Sequence, residues 1–106
     1  MRIIVLFNLK PGADVAEYEA WARARELPGV RSLPSIDEFQ IYRTTGLLGS
    51  EDKPPYDYVE IIDVADMEGF WKDIANDAST EVAKEFRNWL AGPPIFLMTE
   101  LLTSVV

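Results

Sequence analysis

The chain contains no histidine and no cysteine. The first absence removes Ser-His-Asp and Cys-His catalysis, histidine-ligated haem and ordinary zinc sites. The second removes a disulfide framework and any thiolate metal site. A catalyst here must be Asp, Glu, Tyr, Lys, Arg, Ser, Thr or a bound cofactor. Basic residues are also scarce: 10 Lys and Arg stand against 18 Asp and Glu, a net charge of −8. Nucleic acid and anionic membrane are therefore poor partners. No apolar run approaches the ~18 residues of a membrane-spanning helix. Met1 leads straight into a strand-like run with one basic residue and no small-residue cleavage site, which does not read as a signal peptide. A soluble, cytoplasmic protein is expected. Its 106 residues, 48% hydrophobic, suit a single domain over 1–106 with a real core.

The chain is organised around Tyr56 to Val64, a run rich in β-branched and aromatic residues. Tyr56, Tyr58, Ile62 and Val64 fall on one parity, Val59 and Ile61 on the other. Apolar residues on both parities predict a central strand covered on both faces. Glu60 lies in its middle, and a carboxylate there needs a partner, a raised pKa or a cavity.

Taken in order, Arg2 to Leu9 reads as a first two-sided apolar strand, ended by Lys10-Pro11-Gly12. Asp14, with Glu17 three residues on, starts a helix that runs to about Glu26, before Leu27-Pro28-Gly29. Val15, Tyr18, Ala22 and Arg25 form one stripe, with Trp21 on its flank. Glu19 and Arg23 are spaced as an i,i+4 pair on its wet face. Ile36 to Thr45 alternates as an edge strand. Gly46 to Pro55 is a loop carrying Leu47 and Leu48, tucked under it or used as a lid or contact. After the central strand come a helix capped by Asp66, a break at Asn76-Asp77, a further helix over about 78–90, and a last strand over 95–103. The order β-α-β-β-α-β is the ferredoxin-like α+β pattern, with strands one and three in the middle of an antiparallel sheet. Helices can cover only one face. The other is also apolar, and a second copy of the chain is its simplest cover.

The segments MRIIVLFNLKPG, YEAWAR, RTTGLLGS and YDYVEIIDV-ADM resemble the REDY-like family, which includes HapK-type proteins. The resemblance runs over nearly the whole chain and is densest over 41–66. It implies a dimeric α/β barrel, two ferredoxin-like sheets packed face to face. It also implies a setting in prodiginine or related pyrrole and indole alkaloid biosynthesis, in making bipyrrole units or in late ring-closing and amide-forming steps. It brings no set of catalytic residues, so the candidate site rests on the residues themselves.

Glu60 is the candidate acid/base, its pKa raised by burial; the structural alternative is a carboxylate neutralised by Arg43 or Arg25. Tyr56 and Tyr58 share its parity and would orient a ligand or stack on a flat ring, or else pack as ordinary cross-strand aromatics. Asn8 would hold an oxyanion if it neared Glu60, or else bond a turn at the strand end. Trp21, Trp71 and Trp89 would wall a flat pocket or fill the core. Arg25 and Arg43 would bind a substrate carboxylate or neutralise an acid of the chain. Glu100 is a second site carboxylate or a dimer-interface residue. Asp63 and Asp66 are too few oxygens for a metal, and Asp66 is better read as a helix cap. The candidate set is Glu60 as catalyst and Asn8, Trp21, Arg25, Arg43, Tyr56, Tyr58 and Trp71 as ligand contacts, with no metal and no cofactor.

The function expected is acid/base chemistry on a small aromatic nitrogen heterocycle: cyclisation, dehydration or condensation, by a homodimer. The alternatives are a cofactor-independent oxygenase or isomerase, and a non-catalytic protein that shields a reactive intermediate.

Overall fold

A computed structural model describes residues 1–103. Its elements are β1 (Arg2–Phe7), α1 (Val15–Trp21), a π-helical segment (Ala22–Glu26), α2 (Leu27–Arg31), β2 (Ile36–Arg43), β3 (Tyr58–Val64), α3 (Met67–Ile74), α4 (Asp77–Asn88) and β4 (Ile95–Met98). The strands form one antiparallel sheet in the order β2-β3-β1-β4. Two-sided apolarity thus identified the two central strands correctly, and the expected α+β ferredoxin-like arrangement holds. No helix among the described residues is long and apolar enough to cross a membrane.

The register sets which side chains meet. Val5 of β1 and Ile41 of β2 flank Glu60 of β3. Along β1 and β3 every second residue is buried: Ile3, Val5 and Phe7, and Tyr58, Glu60, Ile62 and Val64. These face the helices and pack with Tyr18, Ala22, Phe39, Phe86 and Leu90. The core is strongly aromatic at one end. Phe7 stacks on Tyr58 at 5.4 Å, and Tyr18 lies 5.0 Å from Tyr58. The alternate residues, Ile4, Leu6, Val59 and Ile61, lie on the opposite face in only partial burial.

Several boundaries differ from the sequence reading, for local reasons. Asp14 does cap α1, its Oδ1 accepting from the Glu17 N–H at 3.0 Å, and Asn76 caps α4 through the Ser79 N–H at 2.8 Å. Leu27-Pro28-Gly29, expected to end the first helix, instead lies inside a continuing one. A proline in a helix clashes with the carbonyl four residues back and offers no N–H. Here the chain widens into a π turn just before Pro28, with the Leu27 N–H donating to the Ala22 carbonyl five residues back. The widening accommodates the proline and carries the helix on to Arg31. The last strand stops at Met98 rather than Thr103, and the central strand begins at Tyr58 rather than Tyr56. Leu48 projects fully into solvent from the 46–55 loop.

Candidate functional site

The π turn decides what the first helix presents to the sheet. In a continuous α-helix the stripe through Tyr18 and Ala22 would pass to Arg25. A π turn closes one residue later, so the inward position passes to Glu26. Glu26 is 4% exposed, while Arg25 points outward and pairs with Glu85. Glu26 therefore enters the layer between helices and sheet, where it meets Glu60, itself 3% exposed. Tyr18 completes the cluster, with no exposed surface at all.

Three buried polar atoms in this cluster have no hydrogen-bond partner: the Tyr18 hydroxyl, Glu26 Oε1 and Glu60 Oε2. Two carboxylates are acceptors only, and can bond each other only when one carries a proton. Burial first, then the charge of the adjacent Glu26, raises the pKa of Glu60 well above the usual carboxylate value. Glu26 is also raised, chiefly by burial. Two acids side by side in a buried layer disfavour each other's charge, so the pair holds its protons to higher pH than exposed carboxyls do. Burial, followed by the nearby Glu26 and Glu60, keeps the Tyr18 phenol protonated by raising its pKa.

Next to this cluster a cleft of about 360 Å³ opens between the first helix and β2. Tyr18 and Tyr58 contribute to its wall, together with Glu19, Arg23, Arg31 and Arg43. Glu19 is the hub of the polar side. It accepts from the Tyr58 hydroxyl at 2.7 Å and from Arg43 Nε at 2.7 Å, with a second contact from Arg43 Nη2 and a longer one from Arg23 at 3.6 Å. These partners, Arg43 foremost, lower the Glu19 pKa to about 2. Burial and the adjacent Glu19 carboxylate push Tyr58 up to about 12. Glu26 and Glu60 do not line the cleft. Tyr18 does, and it also adjoins both acids, its hydroxyl buried beside them.

Of the residues singled out from the sequence, Tyr58 and Arg43 come together at the cleft, and Glu60 lies in the buried cluster next to it. The others lie elsewhere. Neither arginine neutralises Glu60: Arg43 is held by Glu19 and Arg25 by Glu85. Asn8 is on the opposite parity of β1 from Val5, the neighbour of Glu60. Its amide clamps the 55–57 segment, donating to the Pro55 carbonyl at 3.0 Å and accepting from the Asp57 N–H at 2.8 Å. Tyr56 precedes β3, and its carbonyl accepts from the Thr44 hydroxyl at 2.7 Å. Trp21 donates its indole N–H to Glu85 at 2.9 Å and lies parallel to Phe86, on the α4 side of the helix. Trp71 is 60% exposed on α3. Asp63 is bonded to Arg2 rather than grouped with Asp66. Glu100 is exposed beyond β4. The residues that sequence reasoning missed are Glu26 and Arg31. Arg31 was obscured by the apparent helix stop at Pro28, and a helix read through that proline would have brought it in; Glu26 was obscured by α-helical phasing, which put Arg25 in its place.

A four-stranded antiparallel sheet with helices on one face, and a polar cleft under those helices, defines an α+β ferredoxin-like protein. The family model described as REDY-like protein HapK matches residues 1–102. The chain belongs to that family. Similar solved structures include HapK from Hahella chejuensis, at 20% identity and a TM-score of 0.70 over 100% of this chain and 99% of that one. They also include a mutant form of SnoaB, a cofactor-independent oxygenase from Streptomyces nogalater, at 17% identity and 0.69 over 97% and 96%. A dimeric ferredoxin-like protein of unknown function from Thermobifida fusca aligns at 18% identity and 0.67 over 92% and 89%. At such identities the likeness is one of fold. No curated protein matches the sequence.

Proposed function

We propose that this protein is a biosynthetic enzyme acting on a pyrrole- or indole-type intermediate by acid/base chemistry, with the Glu26–Glu60 pair as the proton store. The observation that carries this reading is the buried pair itself. A shared proton between two desolvated carboxyls is costly to keep for fold alone, and perturbed pairs of this kind are characteristic of acid/base sites. In a dehydrative condensation a ring carbon of the heterocycle bonds to the hydroxyl-bearing carbon of its partner, the C–O bond there breaks, and the pair, acting through the Tyr18 hydroxyl, delivers a proton to the departing hydroxyl, which leaves as water. The anionic pair then takes back a proton from the heterocycle. The half-buried Leu27 and Ile41 give the neighbouring cleft an apolar side for a flat aromatic substrate.

The working unit is a homodimer in this reading. Ile4, Leu6, Val59 and Ile61, with Ile95 and Leu97 beside them in register, make a continuous apolar sheet face that no helix among the described residues covers. A like protein from Thermobifida fusca is described as dimeric, which supports the same arrangement.

The test is Glu60→Gln, which preserves shape but cannot take up a proton. Turnover of a bipyrrole or indole precursor should fall by roughly 10²-fold or more, with the fold unchanged. Turnover within a few-fold of wild type would end the acid/base reading. The second reading is a cofactor-independent oxygenase, favoured by the likeness to SnoaB and by the ring cluster of Tyr18, Trp21 and Trp89. Oxygen uptake that accompanies substrate loss would establish it instead.

A further inference from the structure

We propose that the cleft selects a planar ring that carries a carboxylate, and that Arg23 and Arg31 bind the anion. This deepens, and rests on, the reading of the cleft as the substrate site. The chain as a whole is acidic at −8, yet the cleft reverses that sign. Three guanidinium groups line it, from Arg23, Arg31 and Arg43, against the single carboxylate of Glu19. Three positive charges less one negative leave a local balance of +2 before any ligand enters.

The three arginines are not equivalent. Arg43 is consumed by Glu19, which it meets through both Nε and Nη2. Arg23 reaches Glu19 only at 3.6 Å, and its side chain is 71% exposed. Arg31 is aimed by two neutral acceptors of β2. Its Nε donates to the Phe39 carbonyl and its Nη2 to Gln40 Oε1, both at 3.1 Å. Neither bond neutralises its charge, and its Nη1 takes part in no hydrogen bond among the described residues. A guanidinium held in place by neutral acceptors, with donors to spare, is suited to a planar anion. The apolar part of the same cleft, the half-buried Leu27 and Ile41, suits the ring. Ring and anion are thus recognised by different residues of one space.

The experiment is a calorimetric titration, at low salt, of wild type, Arg23→Gln and Arg31→Gln with pyrrole-2-carboxylate, pyrrole-2-carboxamide and acetate. Pyrrole-2-carboxylate should bind wild type at least ~10-fold more tightly than the amide, which has the ring without the charge, or acetate, which has the charge without the ring. Each variant should weaken the carboxylate by roughly 5-fold and leave the amide unchanged. Arg31→Gln also loses a bond to the β2 backbone, so its melting midpoint is measured alongside. Arg23→Gln breaks no backbone bond and keeps the test independent of folding. Equal binding of carboxylate and amide overturns the anion inference while leaving the cleft as a ring site. Equal binding of acetate and pyrrole-2-carboxylate overturns the pairing of ring and anion. Failure of both pyrroles to bind at millimolar concentration overturns this inference and the placement of the substrate site together.

Discussion

Glu26 and Glu60 meet in the dry layer between helices and sheet, one delivered by a π turn and the other by the middle of a central strand. Among the described residues neither has a salt-bridge partner. Glu26 raises the need of Glu60 for a proton, and Tyr18 adjoins both the pair and the cleft. The consequences are measurable in stability as well as in turnover.

The pH dependence of stability should have two limbs. Glu26 and Glu60 have folded pKa values raised above the usual 4.5. Groups of this kind favour the folded state fully below the unfolded value and lose that contribution as pH rises through the folded one. Stability should therefore decline from about pH 5 upward. Glu19 and Glu85 are lowered from 4.5 to about 2 by their arginines, so their contribution is present above 4.5 and lost as pH falls through 2. Thermal melts from pH 2 to 9 check both limbs. In Glu60→Gln the alkaline decline should flatten while the acid limb stays. An unchanged alkaline slope in that variant would show that the pair is not its source.

Glu26→Leu should separate stability from activity. It replaces a buried carboxyl that has an unpartnered oxygen with an apolar side chain. Removing such a burden should stabilise the fold at pH 8 by about 1–3 kcal/mol, read by denaturant titration. Turnover should drop with the loss of the shared proton. Arg25→Gln, one position away, loses only the exposed contact with Glu85 and should leave both the melting midpoint and turnover near those of wild type. A larger effect at Arg25 than at Glu26 would contradict the π-turn phasing.

Ile61→Glu tests the uncovered sheet face. Ile61 pairs with Ile4 on β1 and with Gln40 on β2, on the face away from the helices. A charge in the middle of a buried subunit interface is strongly unfavourable. Sedimentation at micromolar concentration should show wild type as a dimer and the variant as a monomer or aggregate. A wild-type monomer at that concentration would remove the dimer from the proposal.

Much of this molecule is determined by local pattern. Two-sided apolarity in 2–7 and 58–64 marks β1 and β3 as central because a strand's side chains alternate with period two, whatever their partners. Asp14 and Asn76 start helices because a short acceptor side chain satisfies a free N–H a few residues on. The order of elements then restricts the sheet to one topology, and a glutamate in a two-sided strand is conspicuous by solvation alone. What met Glu60 was decided only by tertiary structure. Arg25 and Arg43 have the charge to neutralise it, yet the phase of one helix and the register of one edge strand give them to Glu85 and Glu19. Asn8 is close to Glu60 in strand count but on the other face of the sheet. Most of all, a π turn before Pro28 rotates the helix by one position and brings a second acid where an arginine was expected. Periodicity reports the face of an element. It does not report a one-residue change of phase, and on that change depends whether the buried carboxylate has a salt bridge or a shared proton.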